Sequence, residues 1–178
     1  MYQVCTTGKV THGLNMLVAI EHVFERIQPA AYEALYFDEA FNEALGRHLR
    51  MGRKLVRLDR SAERIVRHVR YEPAQALDSD AKRVFGSSRA SFLEELDYDV
   101  KTRRGTWRTV PNMFPDRVRN SGEIAFLDDV LGTKRTVKGE AIVKLFGFGG
   151  RVEKIIVAEI VKNYEASAAF TREWLATH

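Results

Sequence analysis

Apolar positions along the chain change period several times, and each change marks an element. In LNMLVAIEHVF, residues 14 to 24, Met16, Val18, Ile20 and Phe24 share one parity, as on a half-buried strand. The following QPAAYEALYFDEAFNEAL switches to helical spacing through Tyr32, Leu35, Phe41 and Leu45. Pro29 suits a first helical position and Asp38 a second start, so the pattern predicts two short helices. In SSRASFLEELDYDV, Phe92, Glu94, Leu96, Tyr98 and Val100 face one way and Glu95, Asp97 and Asp99 the other, which predicts a strand. GTWRTVP is its partner after a turn at Arg103-Arg104-Gly105. A meander follows, joined by DDVLGTK, with Val118, Asn120, Gly122, Ile124 and Phe126 on one side of its first arm and Val137, Gly139, Ala141, Val143 and Leu145 on one side of its second. Beyond the glycines, Val152, Ile156, Ile160, Asn163, Ser167, Phe170 and Trp174 step by four and three with no proline, opposite Lys154, Lys162, Glu165 and Arg172. This predicts a C-terminal helix of about 28 residues, roughly 42 Å long and able to cross about six strands.

One segment fits two patterns. In GRKLVRLDRSAERIVRHVRYEP, Leu55, Leu58, Ala62, Ile65 and Val69 have helical spacing, whereas Val56, Val66, His68, Val69 and Tyr71 favour strands and Asp59-Arg60-Ser61-Ala62 suits a hairpin turn. Periodicity leaves both open. From Arg47 to Arg70 there are eight arginines and one lysine against Asp59 and Glu63, although the whole chain carries only +4. Such a surface attracts phosphates, of nucleic acid or of anionic lipid, or is simply a solvated face.

With 178 residues, 45% apolar and 29% charged, the chain is expected to form one domain over 1–178, with 1–13 a flexible tail. Cys5 is the only cysteine, so no internal disulfide is possible and a reducing, cytoplasmic setting is expected. The start MYQVCTTGKVTHG lacks the features of a signal peptide, and no apolar run has the length of a membrane span.

The predicted order is strand, two short helices, a run of about six strands, and one long helix. In this order, and in the stretches IEHVFERIQPAAYEALYFDEAF and VKGEAIVKLFGFGGRVEKIIVAEIVKNYEASAAFTREWL, the chain resembles the START-like (SRPBCC, helix-grip) superfamily from about Asn15 to Leu175. The likeness is nearest to its uncharacterised bacterial lipid-binding-like branch and more distant to VASt-type sterol-binding domains. It implies an α+β helix-grip fold: a curved antiparallel sheet of six to seven strands, with two short helices after strand 1 and the long helix packed across the sheet. It also tips the arginine-rich segment towards a hairpin. No catalytic signature defines the superfamily.

Several chemistries lack their residues. After Gly147, Gly149 and Gly150 stand Arg151 and Val152 rather than the Lys-Ser/Thr of a Walker loop, and no strand follows to complete a dinucleotide-binding unit. The glycines are better explained as a joint that lets the helix fold back. Five histidines show no metal-ligand spacing, so no metal site or cofactor is expected, and no serine lies in a G-x-S-x-G elbow. His22 follows the inward parity of the first strand and suits a satisfied core histidine.

Polar residues on apolar faces are more telling. Glu94, Asn120, Asn163 and Ser167 would each cost ~1–3 kcal/mol if buried unpaired, so either internal partners or a ligand must satisfy them. Gly122, Gly139 and Ala141 stand where a filled core would hold larger side chains, which suggests a cavity, although single glycines also mark strand bends. The leading expectation is a non-enzymatic carrier or sensor of a hydrophobic small molecule, lipid or sterol-like. Its walls would be Phe92, Tyr98, Trp107, Ile124, Ile156 and Ile160 and its anchors Glu94, Asn120, Asn163 and Ser167. Arg53, Arg57, Arg60 and Arg64 would make transient contact with phosphates of an anionic membrane. The resemblance to aromatase and cyclase relatives implies an alternative, an enzyme using the same cavity with Glu94 or His22 as general acid or base. A nucleic-acid-binding module using Arg47 to Arg70 is the least favoured reading.

Overall fold

The computed structural model describes residues 15–74, 90–143 and 149–178. The expected N-terminal tail and the glycine joint at Gly147 lie outside the described residues. Seven strands form one antiparallel sheet: β1 (Asn15–Glu25), β2 (Met51–Arg60), β3 (Arg64–Pro73), β4 (Phe92–Asp99), β5 (Arg104–Pro111), β6 (Val118–Asp129) and β7 (Gly132–Val143). The order across the curved sheet is β1-β7-β6-β5-β4-β3-β2, so the first two strands of the chain form its opposite edges. Between them run α1 (Pro29–Tyr36) and α2 (Glu39–His48), and the chain ends in α3 (Gly149–Thr177).

Local chemistry explains the helix starts. Pro29 occupies the first turn of α1, where its missing N–H breaks no intrahelical bond. Asp38 caps α2, its carboxylate accepting from the Phe41 N–H at 2.7 Å. The arginine-rich segment is a hairpin, β2 to β3, closed at Ser61, whose hydroxyl accepts from the Arg64 N–H. A bulge between Leu55 and Arg57 shifts the parity of β2 and leaves Val56 outside, 51% exposed.

All three helices cover one face of the sheet: α1 packs against β6 and β7, α2 against β2, and α3 against β1 and β7. Under α1 the interior is solid and aromatic, with Phe24 stacked on Tyr32 at 4.6 Å and Phe126 edge-on to Tyr32 and Tyr36 at 5.1 and 4.9 Å. Tyr98, expected in a cavity wall, is part of this core, and its hydroxyl donates to Glu33 at 2.7 Å. Ile124 is also core, at 1% exposure.

The most buried row of α3 is Val157, Val161, Tyr164, Ala168, Thr171 and Leu175. This lies one residue away from the stripe that sequence spacing picks out. The apolar face of the helix is wide enough for two adjacent rows. The inner row packs on the core, while Phe170 and Trp174 of the second row meet Phe41 of α2.

Candidate functional site

Antiparallel register stacks inward-facing side chains into rows that run across the sheet. One row is Val69, Glu94, Thr109, Asn120 and Ala141; the next is Arg67, Leu96, Trp107, Gly122, Gly139 and Val18. Where these rows pass beneath α2 and the second row of α3, a cavity of about 180 Å³ remains. Phe92, Glu94, Trp107, Asn120, Ile160, Asn163 and Ser167, all expected from sequence, line it. Tyr98, Ile124, Gly122, Gly139 and Ala141 are not among its lining residues, and the side chain of Ile156 lies outside what is described.

The two glycines do not supply the open volume. A Cβ on Gly122 would come within 2.8 Å of the Trp107 ring and one on Gly139 within 2.7 Å, and both would strike neighbouring backbone. The indole lies over the pair, so their missing side chains admit a tryptophan rather than a ligand. Trp107 in turn forms part of the cavity wall, 8% exposed, with no hydrogen-bond partner for its Nε1 among the described residues.

The wall contains residues that sequence reading did not assign to it: Tyr36, Asn42, Tyr71, Tyr164 and three arginines, Arg67, Arg135 and Arg53, the last expected instead at a membrane surface. Their signal was present. Arg67 shares parity with Ile65 and Val69, and Arg135 with Val137 and Gly139, so both are cations on apolar faces. Each is only 2% exposed.

The arginines differ in how well they are held. Arg53 makes a fork to Glu39 at 2.7 and 3.0 Å. Arg67 reaches the Tyr36 carbonyl at 3.2 Å and the Tyr36 hydroxyl and Glu94 at 3.3 Å, with its guanidinium over the Tyr36 ring. Arg135 has neutral partners alone among the described residues: Tyr32 hydroxyl at 3.3 Å, Ser167 hydroxyl at 3.5 Å, His22 Nδ1 at 3.1 Å and the Tyr164 carbonyl at 3.3 Å. The Nε atoms of all three are buried without a partner among the described residues.

His22, 5% exposed, links Arg135 to Glu165, whose carboxylate lies 2.6 Å from Nε2. Since Arg135 must donate to Nδ1, the Nε2–H donates to Glu165 and the ring is neutral. Burial, and then the Arg135 charge, hold its pKa below the usual histidine value against the opposing pull of Glu165. His22 is not among the cavity-lining residues, which removes its place as a general base there. Burial pushes the Tyr32 hydroxyl up to about 12 and Tyr164 well above its ordinary range, so both stay protonated and neutral.

The four hairpin arginines expected to meet phosphates are placed as follows. Arg53 turns inward, its side chain 7% exposed, and belongs to the cavity wall rather than to an outer face. Arg57 and Arg64 point outward but pair with Asp59 and Asp97, and Arg60 donates to the Phe37 carbonyl. Asp97, from β4, adds a negative charge beside the hairpin that lies outside the segment counted in the sequence.

Residues 21–175 match the family described as "Protein of unknown function (DUF2505)". The chain belongs to this family. No curated protein matches it. Among solved structures it is similar to TTHA0849 from Thermus thermophilus, at 20% identity and a TM-score of 0.62 over 91% of this chain and 99% of that one. It is also similar to the Zhui aromatase/cyclase from Streptomyces sp. R1128, at 10% identity and a TM-score of 0.59 over 91% and 93%. The di-domain ARO/CYC StfQ from the steffimycin biosynthetic pathway follows at 15% identity and 0.51, covering 90% of this chain and 52% of that one. These neighbours show the helix-grip-like fold of the DUF2505 chain. They do not extend to the VASt-type likeness. No helix among the described residues is long and apolar enough to cross a membrane.

Proposed function

We propose that this DUF2505 protein binds a small, mainly apolar molecule in the cavity beneath α3, as a carrier or sensor. One observation carries the reading: the cavity joins five aromatic side chains, Tyr36, Tyr71, Phe92, Trp107 and Tyr164, to polar groups of the kind that orient a ligand. Buried without partners among the described residues are Trp107 Nε1 and Asn120 Oδ1, as well as the arginine Nε atoms. Leaving such groups unsatisfied costs ~1–3 kcal/mol each, which a folded domain tolerates more readily at a functional site than in an ordinary core. The volume of about 180 Å³ is below the ~300 Å³ typical of drug-sized sites, which favours a compact, planar ligand over a whole sterol.

Native mass spectrometry of the purified chain, followed by thermal-shift titration with small aromatic and short-chain apolar compounds, tests this. Retained mass or saturable stabilisation is expected; a chain always ligand-free and unmoved by every compound would defeat the reading. A second reading, cyclase-like catalysis, rests on Glu94 as the only carboxylate lining the cavity among the described residues. Turnover of an aromatic polyketide substrate that persists in Glu94→Gln would dispose of it.

A further inference from the structure

Among the described residues, three guanidinium groups line the cavity and two carboxylates bond them directly, Glu39 to Arg53 and Glu94 to Arg67. Arginine stays protonated under all ordinary conditions, so one positive charge is left over. That charge belongs to Arg135, whose link to an acidic side chain passes through the neutral His22 ring to Glu165, a side chain 38% exposed. An isolated buried cation is costly, and it persists where something compensates it.

The hydrogen-bond lengths set Arg53 apart from the other two, since Arg67 reaches Glu94 only at 3.3 Å. Well-formed N–H···O bonds cluster near 2.9–3.0 Å and charge-assisted ones near 2.7–2.9 Å. Arg53 meets that standard, with bonds of 2.7 and 3.0 Å. Every bond of Arg135 is longer, from 3.1 to 3.5 Å, and its partners are two hydroxyls, a carbonyl and an imidazole. A carboxylate presented to the same fork would offer two shorter, charge-assisted bonds in their place.

Resting on the cavity reading above, we propose that the ligand is a monoanion: an aromatic or short aliphatic carboxylic acid whose carboxylate sits on Arg135 beside Ser167, with its apolar body against Trp107 and Phe92. The single surplus charge selects a carboxylate over a phosphate monoester, which carries about −1.5 to −2 near pH 7. Glu94 stays with Arg67 and sets the limit, since a second negative charge in the cavity has no free cation to meet.

Calorimetric titration of the full chain with matched pairs decides the matter: 1-naphthoate against 1-naphthalenemethanol, octanoate against octanol, and benzoate against phenyl phosphate. Each carboxylate is expected to bind at least about tenfold more tightly than its alcohol. Arg135→Met is expected to abolish that preference, bringing each carboxylate down to the affinity of its alcohol in the same variant. Alcohols binding as tightly as acids would overturn the anion seat and leave the apolar container standing, whereas failure of both members of every pair would overturn both. Phenyl phosphate binding more tightly than benzoate would overturn the charge count, and an acid preference surviving in Arg135→Met would remove Arg135 from the role. The wild-type comparisons need no variant, so a misfolded Arg135→Met leaves the test intact.

Discussion

At the scale of single residues, His22 and Gly122 show how a side chain's neighbours fix its effect. His22 titrates below its ordinary value because burial and Arg135, with Arg172 adding to them, outweigh Glu165. The folded state therefore holds fewer protons on this ring than the unfolded chain, and its contribution is full above about pH 6.5 and lost as pH falls through the lower folded value. Thermal unfolding from pH 7.5 to 5.5 should show wild type losing stability faster than His22→Gln, which has no titrating ring; parallel profiles would contradict the assignment. At Gly122 an added methyl meets backbone as well as the Trp107 ring. Gly122→Ala should cost about 1–3 kcal/mol in urea denaturation and shift the tryptophan emission, and a loss under ~0.5 kcal/mol would show that the indole is not seated as described.

Elements divide the work between packing and binding. The two rows of α3 carry residues of different character: Ala168 is 0% exposed against the core, whereas Asn163 faces the cavity. Ala168→Leu has no space to occupy and should destabilise by about 1–3 kcal/mol. Asn163→Leu should leave the unfolding midpoint within about 0.5 kcal/mol of wild type and weaken ligand binding, because it fills volume that the fold leaves open. Equal destabilisation by the two changes would refute the separation into rows. Sequence periodicity located the helix and picked out its cavity-facing row, with Ile160, Asn163 and Ser167, but not the adjacent row that packs on the core. A spacing of three and four fits either of two neighbouring stripes, and only contact with β1 and β7 distinguishes them. The arginine-rich hairpin was ambiguous for a related reason: a bulge in β2 breaks the alternation that marks a strand.

Across the whole molecule, ligand binding is linked to stability. A ligand at about 100 times its Kd should add about 2.7 kcal/mol, and hydrogen exchange should slow in α2 and α3 over the cavity more than in β1 and the start of β7, where the core is already solid. Uniform protection would point to binding elsewhere. Much of the architecture was legible in the sequence because alternation and helical spacing are local: the strand faces, the paired short helices, the long final helix, and seven of the nineteen cavity-lining residues followed from these patterns. Parity also puts Arg67 and Arg135 on inward faces, a signal that the sequence reading left unused. It did not reveal what they meet, since His22 and Arg135 are separated by 113 residues and His22 and Glu165 by 143. Whether a small residue opens a void or seats a tryptophan, and whether a buried charge finds an opposite one, depend on distances between strands remote in the chain, which tertiary packing alone sets.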